Sequence, residues 1–170
     1  MPEPRDHMRE RNWLETLLHK IPGFRGYLDK ENRRESDALQ RQWLADRLDR
    51  CKRALNEHTR TLADRGEIKQ LPQYERLRGR IDKLIGRIKG AMQGYSGVFD
   101  LVRVDEALLD RVYEHDVVLM ERVEAAASTV EKLRSSGESD VAALLGGLSS
   151  ELDETERAWD RREDLLKGLE

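Results

Sequence analysis

Apolar residues along this chain recur at alternating spacings of three and four, the pattern of an amphipathic helix with a narrow apolar stripe. In the longest stretch the stripe runs through Leu44, Leu48, Cys51 and Leu55, and His58 continues it in phase. The spacing predicts one short helix followed by four long ones, at about 12–21, 29–65, 72–93, 105–134 and 139–168.

The predicted helices end at residues that interrupt a helix or suit its termini. Pro22 and Gly23 stop the short helix, and Gly66 suits the left-handed position just after the first long helix. Pro72 fits a first helical turn, and Asp105 fits an N-cap. The connections are therefore short, and short connections favour antiparallel neighbours.

The fold class that follows is all-α. We expect an elongated up-and-down bundle of four long helices, built from coiled-coil-like hairpins, with a short N-terminal amphipathic helix docked at one end. Residues 1–11 are expected to be a flexible N-terminus, and residues 12–170 a single helical domain. Narrow stripes also suit hairpins that complete their cores in a dimer, and the sequence leaves both arrangements open.

Composition supports narrow helical cores. Of the 170 residues, 38% are charged and 38% hydrophobic, but only 5% are aromatic, which disfavours a β-sandwich or an α/β core. No run approaches the roughly 18 apolar residues of a membrane span, and the charged N-terminus does not suit a signal peptide. We therefore expect a cytoplasmic protein, with its single cysteine, Cys51, buried on a stripe as an unreactive thiol.

Charge is divided unequally between the halves of the chain. Residues 1–95 carry 22 Lys and Arg against 15 Asp and Glu, whereas residues 96–170 carry 9 against 19. Packing of the two halves, within one chain or between copies, would explain this division. The alternative is an anionic partner of the basic half, such as nucleic acid or lipid headgroups.

One end of the predicted bundle gathers unusual chemistry. In an up-and-down order, the turn before the first long helix and the 94–104 connection lie at the same end. We expect Asp37, Tyr113 and Asp116 within about two turns of it. This is the candidate partner-binding end, although aromatic residues that plug the bundle among paired charges would look the same. Its candidate residues are Phe24, Arg25, Tyr27, Arg33, Arg34, Phe99, Asp100 and Arg103.

The short N-terminal helix offers a candidate membrane face. Its apolar residues are flanked by basic ones, which is the pattern of an interfacial helix. Alternatively, the same face closes the end of the bundle, because a small bundle buries each of its apolar stripes. The residues of the face are Trp13, Leu14, Leu17, Leu18 and Ile21.

The sequence predicts no catalytic, cofactor-binding or metal-binding residues. A carboxylate-bridged metal bundle needs a Glu three residues before a His, and none of the four histidines has one. A Gly-rich phosphate loop is also missing. The basic helix at 75–89 has enough cations for phosphate contacts, but they spread around the helix. Nucleic-acid binding is therefore the weakest alternative.

Two short motifs stand out from the helical stripes. One is Ile21-Pro-Gly-Phe-Arg-Gly-Tyr27 with Lys30, Glu31, Arg33, Arg34, Glu35 and Asp37, and the other is Gly97-Val-Phe-Asp100 with Val104, Glu106, Leu109, Asp110, Tyr113 and Asp116. Together they resemble a bacterial family of small all-helical cytoplasmic proteins. That family has no established activity, so the resemblance, over about a third of the chain, implies a bacterial cytoplasmic origin and no function.

These observations favour a non-enzymatic helical scaffold or adaptor that acts through protein contacts and self-associates as a homo-oligomer. A peripheral membrane protein that uses residues 12–25 is the first alternative. A nucleic-acid-binding protein that uses the basic helix is the second.

Overall fold

The computed structural model describes Glu15 and residues 18–21, 33–94 and 106–167, and this part of the chain contains helices and no strands. Four long helices dominate it: α1 (Arg33–Asp64), α2 (Leu71–Gly94), α3 (Glu106–Ser135) and α4 (Glu138–Lys167). A single 3₁₀ turn, Ile68–Gln70, precedes α2, and Glu15 and residues 18–20 are also helical. The predicted all-α class is confirmed, whereas the flexible terminus predicted at 1–11 lies outside the described residues.

Gly66 ends α1 as its position in the sequence predicts. Its φ angle is +75°, a left-handed conformation that favours glycine. The Gly66 amide donates to the Ala63 carbonyl at 3.0 Å, and the Glu67 amide donates to the Leu62 carbonyl at 2.9 Å. This pair of hydrogen bonds is the Schellman motif, which satisfies the last carbonyls of a helix.

Consecutive helices form two antiparallel hairpins. In the first, α1 and α2 are joined by Lys52 with Asp82 at 2.7 Å and by the Tyr74 hydroxyl with His58 Nδ1 at 2.7 Å. In the second, the Thr129 hydroxyl of α3 donates to Glu151 of α4 at 2.9 Å. From 52 to 58 along α1 the partner number on α2 falls from 82 to 74, and from 116 to 129 along α3 the partner number on α4 falls from 162 to 151. The two helices of each hairpin are therefore antiparallel.

The two hairpins pack side by side, with α1 parallel to α3 and α2 parallel to α4. Arg47 of α1 pairs with Glu124 of α3 at 3.0 Å, and Arg80 and Arg87 of α2 reach Asp153 and Asp160 of α4, each at 2.5 Å. The neighbouring pairs of long helices are therefore α1–α2, α3–α4, α1–α3 and α2–α4. Among the described residues, α2 and α3 are consecutive in the chain but are not such neighbours.

The apolar stripes of all four long helices meet inside one chain. A single main core includes Leu48 of α1, Leu84 of α2, Leu119 of α3 and Leu148 of α4, all fully buried. Cys51 belongs to the same core, and burial raises the pKa of its thiol to about 11. The sequence predicts a buried, unreactive thiol at this position, and the structure confirms that the thiol is buried.

The glycines inside α2 generate a test of this packing. Nothing lies within 4 Å of where a Cβ would stand on Gly86 or Gly90, and glycine inside a helix costs about 1 kcal/mol relative to alanine. We expect Gly86→Ala and Gly90→Ala each to raise the free energy of unfolding by about 0.5–1 kcal/mol. Urea denaturation measures this change.

Gly66→Ala is the matched control, because alanine disfavours the positive φ angle at that position. We expect this variant to lose stability. A loss in the two α2 variants as well would contradict the open surroundings that the structure gives Gly86 and Gly90.

Candidate functional site

Four charged side chains lie in the interior near one end of the packed helices. Asp37 and Arg41 come from α1, Asp116 from α3 and Arg162 from α4, and all four are buried. Arg162 is 0% exposed and Asp116 is 1% exposed. Each lies on the apolar stripe of its helix, so packing of the stripes removes it from water, and a buried charge needs a partner.

The four side chains form a continuous series of ion pairs, here called the ionic chain. Arg162 donates from Nε to Asp116 Oδ1 and from Nη2 to Asp37 Oδ1. Arg41 donates to the other oxygen of Asp37, with Nε and Nη2 each 2.8 Å away. The order is therefore Arg41, Asp37, Arg162, Asp116, with two cations and two carboxylates.

Further contacts of α4 connect the ionic chain to α2. The guanidinium carbon of Arg162 lies 5.3 Å from the centre of the Trp159 ring, a cation–π distance. The Trp159 indole donates to Glu163 at 2.8 Å, and Arg87 of α2 reaches the other oxygen of Glu163 at 3.2 Å. One connected polar network therefore touches all four long helices.

Burial and ion pairing act in opposite directions on the pKa values of the network. Desolvation raises the pKa of Asp116 to about 6, although the Arg162 charge opposes the shift. For Arg162, burial works to lower the pKa, but the attraction of Asp116 and Asp37 outweighs it, and the net shift is upward. Burial also raises the pKa of the Tyr113 hydroxyl, which lies one turn before Asp116.

Polar atoms beside the ionic chain lack hydrogen-bond partners. Gln40, one turn along α1 from Asp37, is fully buried, and neither its amide oxygen nor its amide nitrogen has a partner among the described residues. Arg162 Nη1 is also buried and has no hydrogen-bond partner among the described residues. A buried polar group without a hydrogen-bond partner costs about 1–3 kcal/mol, so these atoms reduce the stability of this part of the fold.

The sequence predicted part of this site. Asp37, Tyr113 and Asp116 were expected at one end because of the up-and-down order, and the structure places Asp37 and Asp116 on the same arginine. Arg41 and Arg162 belong to the ionic chain but not to the residues predicted for this end. In the sequence, Arg162 nevertheless continues the stripe of Thr155 and Trp159. A cation in phase with an apolar stripe is the signal that could have found it.

Most residues of the predicted partner-binding end lie outside the described part of the chain. Arg33 and Arg34 lie in the first turn of α1, and their side chains are not described. The others lie outside the described residues: Phe24, Arg25, Tyr27, Phe99, Asp100 and Arg103.

The candidate membrane face is described at two of its five positions. Leu18 is 47% exposed, whereas Ile21 is 3% exposed and belongs to the main core. The ammonium group of Lys20 lies 5.9 Å from the centre of the Trp43 ring on α1. These contacts attach residues 20 and 21 to the long helices, and Trp13, Leu14 and Leu17 lie outside the described residues.

The basic helix at 75–89 uses several of its cations inside the fold. Arg80 and Arg87 pair with carboxylates of α4, and Arg78 pairs with Glu75 at 2.7 Å. Only part of its positive charge therefore remains for an external phosphate.

The described residues contain neither a metal-binding cluster nor a membrane-spanning helix. The described residues contain no group of three or more His, Cys, Asp or Glu side chains that could hold a metal ion. None of the described helices is long and apolar enough to cross a membrane.

Comparison with known proteins yields no relative. A scan against protein-family models, a search of curated proteins and a search of solved structures each give no match.

The raised pKa of Asp116 predicts how stability depends on pH. With an unfolded pKa near 4, the folded state binds one more proton than the unfolded state between about pH 4 and 6. This group therefore contributes more stability at pH 5 than at pH 7. The free energy of unfolding of the parent minus that of Asp116→Asn should rise by roughly 1 kcal/mol on acidification from pH 7 to 5.

Urea denaturation at several pH values measures this difference. Asp164→Asn serves as the control, because Asp164 lies exposed on the same end of α4. A parent-minus-Asp116→Asn difference that stays flat or falls with acidification would contradict the burial of an ionisable Asp116.

Proposed function

We propose that this protein is a non-enzymatic helical scaffold or adaptor of the bacterial cytoplasm, which acts through protein contacts and self-associates. The observation that carries the proposal is the ionic chain, which ties α1, α3 and α4 together near the start of α1 and about three turns into α3. A surface used for docking needs a rigid base, and three cross-linked helix ends provide one.

The proposed architecture is an elongated up-and-down bundle of four long helices with a short amphipathic helix at its N-terminus. The antiparallel hairpins support it, and so does the single main core to which all four long helices contribute. Because α1 has 32 residues, its length is about 48 Å at 1.5 Å per residue. Such a rod holds two ends far apart, as a scaffold requires.

Burial of the stripes directs attention to the end of the bundle. Most of the described stripe residues are covered within one chain, so a partner or second copy would need another surface. We assign this role to the candidate partner-binding end, which combines aromatic and arginine side chains. These residue types are enriched at the energetic centres of protein interfaces.

The cost of the ionic chain also favours a role beyond stability. Apolar residues of similar volume often stabilise a fold as well as a buried ion pair does, or better. A series of four buried charges is therefore not the simplest way to hold a bundle together. Its presence agrees with a requirement for one defined geometry at this end.

The two alternatives receive less support. Membrane binding through the N-terminal helix would require Ile21 to leave the main core, although Leu18 is exposed on the predicted face. Nucleic-acid binding through residues 75–89 would compete with the ion pairs that Arg80 and Arg87 make to α4. Both therefore rank below the scaffold.

Site-specific photocrosslinking tests the proposal. The photoreactive residue p-benzoylphenylalanine replaces Phe99 at the candidate end, and irradiation is carried out in cells that naturally produce the protein. We expect discrete adducts, among them one of twice the chain mass that contains a second copy.

The matched control places the same photoreactive residue at Ile68, which is 67% exposed near the far ends of α1 and α2. Position 68 should give no such adducts. Equal adducts from both positions, or none from position 99, would contradict a docking surface at the candidate end.

A further inference from the structure

The side of α2 that faces away from the core carries two cations that the fold does not use. Arg76, Gly79 and Lys83 follow one another at spacings of three and four, and all three are exposed, so they share one side of the helix. Among the described residues, neither Arg76 nor Lys83 forms an ion pair. Nothing lies within 4 Å of where a Cβ would stand on Gly79. We call these three residues the basic face.

The acidic residues beside the basic face already have partners. Glu75 pairs with Arg78 at 2.7 Å, and Asp82 pairs with Lys52 at 2.7 Å. The two cations of the basic face therefore keep their positive charge available to an anionic partner. The glycine between them leaves the backbone uncovered, so a side chain of that partner can approach closely.

The outward side of α3 carries the opposite charge. Glu114, Val118 and Glu121 are exposed at spacings of four and three, and neither glutamate forms an ion pair with a described residue. The neighbouring cation Arg122 pairs with Glu154 instead, at 2.5 Å. Val118 is 41% exposed although it is apolar. We call Glu114, Val118 and Glu121 the acidic face.

The two faces match in charge, spacing and shape. The cations of the basic face are seven residues apart, and so are the glutamates of the acidic face, a distance of about 10.5 Å along each helix. The middle residue divides this interval into three and four on α2 but into four and three on α3. When the helices run in opposite directions, both ion pairs therefore form at once, and Val118 lies against Gly79.

The faces of one chain cannot meet each other. The neighbouring pairs of long helices are α1–α2, α3–α4, α1–α3 and α2–α4, so α2 and α3 lie at diagonal corners of the bundle. Their outward sides point away from each other. A basic face can therefore meet an acidic face only on another molecule, and such a contact between two different surfaces can repeat from copy to copy.

We propose that copies of this chain bind side by side, with the basic face of one copy against the acidic face of the next. The pairs are Arg76 with Glu121 and Lys83 with Glu114. A second copy is the partner that fits, because this chain itself supplies the matching charges, the same spacing and the apolar side chain between them. The inference rests on the self-association in the proposed function, and it adds a contact separate from the candidate partner-binding end.

Reversal of one charge tests the contact in the purified full-length chain. The mass of the parent, measured by analytical ultracentrifugation, should rise with protein concentration. Arg76→Glu places two like charges opposite each other and should weaken this association at least about tenfold. The position is exposed on a helix, so the fold should tolerate the change.

Two double variants of equal net charge decide whether this particular pairing is responsible. Arg76→Glu with Glu121→Lys restores the pair with its polarity reversed and should associate about as strongly as the parent. Arg76→Glu with Glu114→Lys is the matched control, because it places like charges opposite each other at both positions. The control should associate no more strongly than Arg76→Glu alone.

Two results would overturn the inference. One is a parent that stays monomeric at every concentration. The other is equal association of the two double variants, because net charge would then control assembly and the proposed pairing would not. Recovery in the first double variant would also show that Arg76→Glu weakens the contact without disrupting the fold.

This experiment and the crosslinking experiment fail independently. Absence of crosslinks from position 99 would remove the docking surface at the candidate end and leave a measured side-by-side contact in place. Conversely, equal association of the two double variants would remove the side-by-side contact and leave the docking surface untouched. The crosslinking control, Ile68, lies eight residues before Arg76 and so about 12 Å outside the proposed contact.

Discussion

The burial of Arg162 is the constraint on which the arrangement of the helices depends. A guanidinium with no exposed surface is tolerated only where carboxylates compensate its charge and accept its N–H groups. Asp37 and Asp116 meet this requirement from two different helices. To bring both to one arginine, α1 and α3 must begin at the same end of the fold and lie next to the end of α4.

This requirement also sets the register between the hairpins. The surface ion pairs of α2 with α4 repeat after seven residues, because Arg80 faces Asp153 and Arg87 faces Asp160. A slip of one heptad would bring Arg80 opposite Asp160 and preserve part of that pattern. The same slip would separate Arg162 from Asp37 of the first hairpin and leave it with Asp116 alone, at a cost of several kcal/mol. The ionic chain therefore distinguishes one register that the apolar stripes and surface charges alone do not.

The basic first half and the acidic second half of the chain pair with each other across the contact between the two hairpins. The exposed and half-buried pairs between hairpins run from arginines of the first, such as Arg47, to carboxylates of the second, such as Glu124. In the interior the polarity is reversed, because Arg162 of the second hairpin reaches Asp37 of the first. Surface pairs of this kind contribute little stability individually, so they favour correct pairing more than they strengthen the fold.

Local signals in the sequence predicted the helices and their ends well. The three-and-four spacing identified the stripes, and Gly66 marked the end of α1 because a left-handed residue there is a local property of the backbone. The placement of Asp37 near Asp116 followed from alternating helix direction. The pairing of Arg162 with these two carboxylates did not follow from the sequence. Periodicity shows which face of a helix is buried but not which other helix covers that face. Short connections favour antiparallel neighbours, as in α1–α2 and α3–α4. They do not predict that α1 packs parallel to α3 and α2 parallel to α4.

The most direct test of this account is a double-mutant cycle between Asp37 and Arg162, with Asp37→Asn, Arg162→Met and the double variant compared by urea denaturation. The account predicts a coupling free energy of about 1.5–3 kcal/mol between two residues far apart in the chain, as expected for partners in one buried network. Additive effects, within about 0.5 kcal/mol, would show that the two side chains do not interact and would contradict the ionic chain as the link between the hairpins.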